Sequence, residues 1–137
     1  MDYGKAIELS TIDIERYNNH LKKLSNYYIS EVSNRISNIK INGDLENKLS
    51  GNNNICFAGV DGAKLVLELD KNGICASSGS ACSAGLINPS HVLLAMGISP
   101  TLAKGSLRIT FGRENSIEDV KYLVDCLEDV IIKLRKQ

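Results

Sequence analysis

The sequence lacks an excess of either charge. Sixteen Lys and Arg balance sixteen Asp and Glu, so the formal net charge is zero. The balance also holds locally. Residues 1–50 carry seven side chains of each sign, and residues 101–137 carry seven basic and six acidic ones. Binding to bare nucleic acid or to an anionic membrane relies on a basic excess, so neither partner is expected. No apolar run approaches the roughly 20 residues that cross a bilayer. The start, Met1-Asp2-Tyr3-Gly4-Lys5, lacks the charged-then-apolar profile of a signal peptide. These absences predict a cytoplasmic protein. There is no C-x-x-C and no paired histidine spacing, so no metal is expected. Internal repeats and linker-like stretches are missing too, and 137 residues fit one domain, 1–137.

One absence is local. From Asn72 to Ala103 there is no Asp, Glu, Lys or Arg, in a chain that is 23% charged. His91 and two cysteines are the only ionisable side chains there. Such a window is either buried or faces something other than bulk water.

The four cysteines are Cys56, Cys75, Cys82 and Cys126. A reducing compartment opposes disulfides between them. Cys56 lies in a short apolar run, Cys126 in a periodic helix, and Cys75 in Gly73-Ile74-Cys75-Ala76. All three read as small buried hydrophobes. Cys82 differs. It sits in Ser77-Ser78-Gly79-Ser80-Ala81-Cys82-Ser83-Ala84-Gly85, where every residue is Ser, Ala, Gly or Cys. Such a stretch has little side chain with which to anchor itself, so an accessible, reactive thiol is expected.

Hydrophobic periodicity supplies the elements. Ile7, Ile14, Tyr17, Leu21, Leu24, Tyr28, Val32 and Ile36 lie on one face of a helix over 6–36, with a break near Ser10–Thr11. Ile39 to Asn42 alternates as a strand and ends at the Gly43-Asp44 turn. Residues 45–53 read as a polar, asparagine-rich loop, and Ile55 to Ala58 as a second strand. Asp61 can cap a helix from Gly62 to Asp70 that Asn72-Gly73 stops. Ile74 to Ala76 reads as a short strand. Asn88-Pro89 starts a helix with Val92, Leu93 and Met96 on its apolar side, and Thr101 to Lys104 is a further turn. Ser106 to Phe111 alternates, with Leu107, Ile109 and Phe111 on one side and Ser106, Arg108 and Thr110 on the other. Ser116 and Asp119 form a capping box for a last helix striped by Val120, Leu123, Val124, Leu127, Val130, Ile131 and Leu134. The fold class is therefore α+β, a small antiparallel or mixed sheet covered by helices.

Candidate chemistry is sparse. The glycines around Cys82 lack the lysine of a phosphate loop. Arg108, mid-strand on the polar side, suits bidentate capture of a carboxylate, though a solvent-facing arginine would look the same. Arg113 reads as a surface residue, His91 as structural, and Thr110 as a possible lining residue.

Three motifs in order carry a resemblance: Gly73 to Gly85 with its S-S-G-S-A-C core; Pro89-Ser90-His91-Val92-Leu93 with Ala95-Met96-Gly97; and Gly105-Ser106-Leu107-Arg108-Ile109-Thr110-Phe111-Gly112-Arg113. Asn42-Gly43-Asp44 and Asn54 to Gly62 add to it. Together they resemble the C-terminal part of a cysteine desulfurase, a class V aminotransferase relative. The resemblance implies the C-terminal small domain of a fold-type I pyridoxal-phosphate transferase. Such enzymes convert L-cysteine to L-alanine and carry the sulfur as a persulfide for iron–sulfur cluster and thiocofactor assembly. It implies that Cys82 is the nucleophile and that Arg108 holds the substrate carboxylate. Ser77, Ser78, Gly79, Ser80, Ala81 and Ser83 would belong to the mobile catalytic loop. The implied partners are sulfur-acceptor or iron–sulfur scaffold proteins, with a homodimer for the full-length enzyme. Asn88 departs from the glutamate often found before Pro-Ser in the family. Family members are about three times longer, and Lys64, Lys71 and Lys104 are not in the context of the Schiff-base lysine. The expectation is therefore a domain without bound cofactor and without activity by itself. A stand-alone persulfide-acceptor module is the alternative, and a structural protein with an incidental loop cysteine is the third reading.

Overall fold

The computed structural model describes residues 3–79 and 89–136. The elements run α1 (Tyr3–Thr11), α2 (Ile14–Arg35), β1 (Ile39–Asn42), β2 (Asn52–Phe57), α3 (Gly62–Asp70), α4 (His91–Ala95), α5 (Pro100–Ala103), β3 (Ser106–Thr110) and α6 (Ile117–Arg135). The three strands form one sheet in the order β1-β2-β3, antiparallel throughout. The α+β expectation is met, and the sheet is antiparallel rather than mixed.

Period-two alternation divides this sheet into two unlike faces. Ile39, Ile41, Ile55, Phe57, Leu107 and Ile109 pack into the main core, which α2, α3 and α6 cover. Lys40, Asn42, Asn52, Asn54, Cys56, Ser106, Arg108 and Thr110 fall on the opposite, largely polar face. The short α4–α5 segment covers part of that second face, where Leu93, Ile98 and Ala103 cluster with Cys56.

The helices form where the apolar spacing put them, with instructive differences at the ends. The break in the first helical stretch comes at Ile12–Asp13 rather than Ser10–Thr11. Asp13 takes a left-handed backbone (φ 68°), which stops α1 and turns the chain into α2. No residue of α1 is buried. Ile7 and Ile14 are exposed, so the core stripe begins later, with Leu21, Leu24, Tyr28, Val32 and Ile36. Asp61 caps α3 by accepting from Ala63 N and Lys64 N, as expected. The capping box of α6 also forms, with Ser116 Oγ accepting from Asp119 N and Asp119 Oδ2 accepting from Ser116 N. At its other end, α6 is tied to the sheet by Arg135, which donates to Ala58 O (3.0 Å) and Ser37 O (2.8 Å).

Three sequence expectations need correction. The strand β2 begins at Asn52, because Asn52 and Asn53 pair with Thr110 and Ile109 and so join the ladder instead of the 45–53 loop, followed by Asn54 opposite Arg108. Ile74 to Ala76 is not a strand; the contact is a single bridge at Ser77. The helix after Pro89 starts at His91, with Ser90 in the capping position, and only Leu93 of its apolar residues is buried while Val92 and Met96 are exposed.

Two core and surface features yield predictions. Tyr28 is fully buried beside Phe111, ring edge to face at 5.7 Å, and its hydroxyl has no hydrogen-bond partner among the described residues. A buried hydroxyl without a partner costs about 1–3 kcal/mol, whereas the ring's packing is favourable. Tyr28→Phe is therefore expected to stabilise the fold, by about 1 kcal/mol, read as a raised denaturant midpoint with an unchanged slope. A lowered midpoint would refute this.

Glu68 joins α3 to α6. It pairs with Lys133 at 2.7 Å and with Lys71 on the next turn at 2.5 Å. Hydrogen bonds from Lys133 and then Lys71 hold its carboxyl down at about 2, from 4.5. A depressed carboxylate stabilises the folded state above its unfolded pKa and loses that contribution as pH falls through the folded one. The Tm difference between the wild type and Glu68→Gln should thus be largest above pH 5 and shrink as the pH falls from about 4.5 towards 2. Thermal melts across that range check it; a constant difference would count against the linkage.

Candidate active site on the polar face of the sheet

Arg108 sits at the middle of β3, half-buried, on the polar face. Strand alternation puts it there, because Leu107 and Ile109 on either side are drawn into the core. Among the described residues no carboxylate pairs with its guanidinium. That is unlike Arg35, which is held by Glu31, Asp125 and Glu128.

The chain that leads towards Cys82 is pinned beside this arginine. Arg108 N donates to Ser77 O at 2.7 Å, and Ser77 N donates to Arg108 O at 3.2 Å. Ser77 thus extends the sheet by a single antiparallel bridge on the free side of β3. Residues opposite one another in such a pair project to the same face, so Ser77 flanks Arg108. Two further contacts continue the attachment. Gly79 N donates to the buried Ser106 hydroxyl at 3.4 Å. Ser78 lies against Gly62, where an added Cβ would meet Ser78 Cβ at 3.1 Å and Ser106 O at 2.7 Å. Gly79 itself has φ +65°, a left-handed conformation that glycine adopts without cost. Ser77 is therefore brought to Arg108, and Ser78 and Gly79 to Gly62 and Ser106. Ser80, Ala81, Cys82 and Ser83 lie outside the described residues.

The other side of Arg108 is an asparagine row. In register across the sheet stand Asn42, Asn54 and Arg108. Asn42 Nδ2 donates to Asn54 Oδ1 at 2.6 Å and to Cys56 Sγ at 3.1 Å. Cys56 is fully buried; burial pushes its thiol pKa up, against a smaller lowering by the Asn42 hydrogen bond and by Lys40. It is a packed, protonated thiol, as expected. The expectation fails for Cys75, which is exposed, and holds only partly for Cys126, which is half-buried.

The remaining candidates are not part of this cluster. His91 is exposed at the start of α4, and Thr110 is exposed at the end of β3. Arg113 lies over the ring of Tyr17, 5.0 Å from its centroid, a cation–π contact that holds a loop to α2. No group of three His, Cys, Asp or Glu side chains gathers as a metal site among the described residues. The asparagines were missed by sequence reasoning because three in a row look like loop. Read with period two, Asn52, Asn54 and Cys56 share one face while Asn53, Ile55 and Phe57 share the other.

The same chain matches the family described as aminotransferase class-V over residues 1–123. The chain belongs to the class-V aminotransferase family. Among curated relatives it is 44% identical over 132 residues to the cysteine desulfurase IscS of Dictyoglomus turgidum, covering 96% of this chain and 34% of that protein. It is 40% identical over 135 residues to the cysteine desulfurase IscS of Clostridium botulinum, covering 97% of this chain and again 34% of the relative. A solved NifS-like protein superposes with a TM-score of 0.80 at 26% identity, over 94% of this chain and 32% of that one. The NifS-like protein of Rickettsia africae gives 0.75 at 26%, over 89% and 31%. This class-V chain thus spans about a third of the length of the relatives it matches. No helix among its described residues is long and apolar enough to cross a membrane.

Proposed function

We propose that this chain is the C-terminal small domain of a cytoplasmic cysteine desulfurase, with Cys82 as sulfur acceptor and Arg108 as the clamp for the carboxylate of L-cysteine. The observation that supports this best is the bridge between Ser77 and Arg108. It sets Ser77, five residues before Cys82, beside an arginine that no carboxylate among the described residues pairs with. Cys82 follows Ser77 by five residues, a tether of at most about 17 Å. A thiol within that radius can meet a substrate held at Arg108.

Each group has a defined task in this reading. The guanidinium fork binds the carboxylate and so fixes the orientation of the amino acid. The Cys82 thiolate forms the new S–S bond to the substrate sulfur as the substrate C–S bond breaks, and that bond's electron pair stays on carbon, which takes a proton to become the methyl group of alanine. The family implies pyridoxal phosphate, but the described residues do not fit that group on their own. Lys48 is half-buried and already donates to Asn52 O and Asn53 Oδ1. Lys40 is exposed at the outer strand, and Lys64, Lys71 and Lys104 are exposed as well. The cofactor and its lysine would therefore belong to the two thirds of the relatives that this chain does not match. That portion would also cover the exposed side chains of Val92 and Leu94 on α4, of Met96 just after it, and of Ile7, Ile12 and Ile14 near α1. Homodimerisation and docking of a sulfur-acceptor or iron–sulfur scaffold protein are proposed for the whole enzyme only.

A graft tests the proposal. The matching third of the Dictyoglomus turgidum relative is exchanged for this chain, and alanine released from L-cysteine is measured. The graft should turn over, whereas the 137-residue chain alone should not. Arg108→Ala in the graft should raise KM for L-cysteine by about 100-fold, the scale of one charge-assisted bidentate contact. An inactive but folded graft that binds pyridoxal phosphate would overturn the assignment. A stand-alone persulfide carrier is the second reading, supported by the Ser, Ala and Gly composition around Cys82. It predicts that the isolated chain is loaded with sulfur by a separate desulfurase.

A further inference from the structure

The polar face holds a second donor next to Arg108. Asn54 lies on the central strand, directly between Asn42 of β1 and Arg108 of β3. Its carbonyl Oδ1 is taken by Asn42 Nδ2 at 2.6 Å. A carboxamide is planar, and its oxygen and nitrogen point about 120° apart. Fixing the oxygen towards β1 leaves the NH2 group for the side on which Arg108 stands. Directly opposite residues in an antiparallel pair have Cβ atoms about 5 Å apart, close enough for both head groups to serve one ligand. Among the described residues Asn42 Nδ2 otherwise meets Cys56 Sγ alone, and Asn42 Oδ1 is buried without a partner. An orphaned acceptor is a cost, and it is retained with the arrangement that orients Asn54.

The geometry points to Asn54 as a substrate-binding residue that donates from Nδ2 to the same carboxylate Arg108 holds, with Asn42 as the positioning residue that keeps the amide in donor orientation. This rests on the reading of Arg108 as a carboxylate clamp. A carboxylate accepts up to about four hydrogen bonds, and the guanidinium fork supplies two. Asn54 adds a neutral donor on one flank, while the Ser77 bridge closes the other. The combination favours a planar carboxylate over a spherical anion such as chloride.

The test uses the full 137-residue chain, labelled with 15N, titrated with sodium propionate and, separately, with sodium chloride. The expected result is that the Arg108 Nε and Asn54 Nδ2 signals shift together along one propionate isotherm and not with chloride. Asn54→Asp, which puts an acceptor and a negative charge where the donor stood, should weaken propionate binding at Arg108 by about tenfold or more. Asn42→Leu should weaken it by about threefold, because Asn54 then turns freely. If Arg108 Nε responds to propionate while Asn54 Nδ2 does not, the Asn54 inference is overturned and the Arg108 reading stands. If neither responds, or both respond equally to chloride, the carboxylate clamp itself is wrong, and the inference fails with it. The wild-type signals decide the matter even if a variant does not fold.

Discussion

Cys82→Ser in the grafted enzyme is expected to reduce alanine release by at least about a thousandfold, while Cys75→Ser leaves it within about twofold. The reason is chemical. An unperturbed thiol ionises near pH 8.5, so a useful fraction is thiolate at neutral pH, whereas a serine hydroxyl is neutral and cannot form the S–S bond. The other cysteines are poor substitutes. Cys56 is fully buried, with a raised pKa and a hydrogen bond from Asn42. Cys126 is half-buried on α6. Cys75 is exposed and is thus the one informative control, an accessible thiol seven positions from Cys82 in sequence. Equal loss in both variants would mean that the loop tolerates no change, and a persulfide found at Cys75 instead of Cys82 would overturn the assignment. Mass spectrometry of the peptide after reaction with L-cysteine decides between them.

Gly105→Ala should have the largest effect on stability. Gly105 is buried where the turn after α5 enters β3. Its carbonyl accepts from Phe57 N at 2.9 Å, and its N–H donates to Leu102 O at 3.1 Å. A Cβ there would press into the Phe57 carbonyl oxygen and come within 3.0 Å of Val60 O. Both are backbone atoms of the central strand and its exit, so no side chain can rotate away. The cost should exceed about 4 kcal/mol, a large share of the roughly 5–15 kcal/mol that holds a domain folded. Gly97→Ala is the control. Gly97 has φ +79° but open space around its Cβ direction, so only conformational strain of about 1–2 kcal/mol is expected. Urea titration of both variants checks the order; a Gly105→Ala variant as stable as Gly97→Ala would refute the steric account.

Most of the fold was legible because it rests on local rules. The Asp61 cap, the Ser116–Asp119 box and the alternation of Ser106 to Phe111 each name their own element. The misses came where tertiary pairing overrode local preference. Asn52 to Asn54 have low strand propensity but sit opposite Thr110, Ile109 and Arg108, and the ladder recruits them. Val92 and Met96 have helical spacing, yet α4 is five residues long and buries only Leu93. Arg108 was legible as a candidate from its strand position alone. Its neighbours were not, since register between β1, β2 and β3 brings Asn42 and Asn54 beside it from elsewhere in the sequence. Ser77 was legible only through motif resemblance, because one bridge leaves no periodicity to read.

The Ser77–Arg108 bridge also has a meaning in hydrogen-exchange terms. Each of the two residues supplies one amide proton to the other's carbonyl. Exposing the Ser77 amide therefore breaks one bond of that pair, and releasing the edge breaks both. Arg108 cannot swing its backbone outward without undoing the same two bonds. The root of the Cys82 segment and the backbone of the clamp thus share one opening event, with a free energy set by the β3 edge rather than by the small residues that follow.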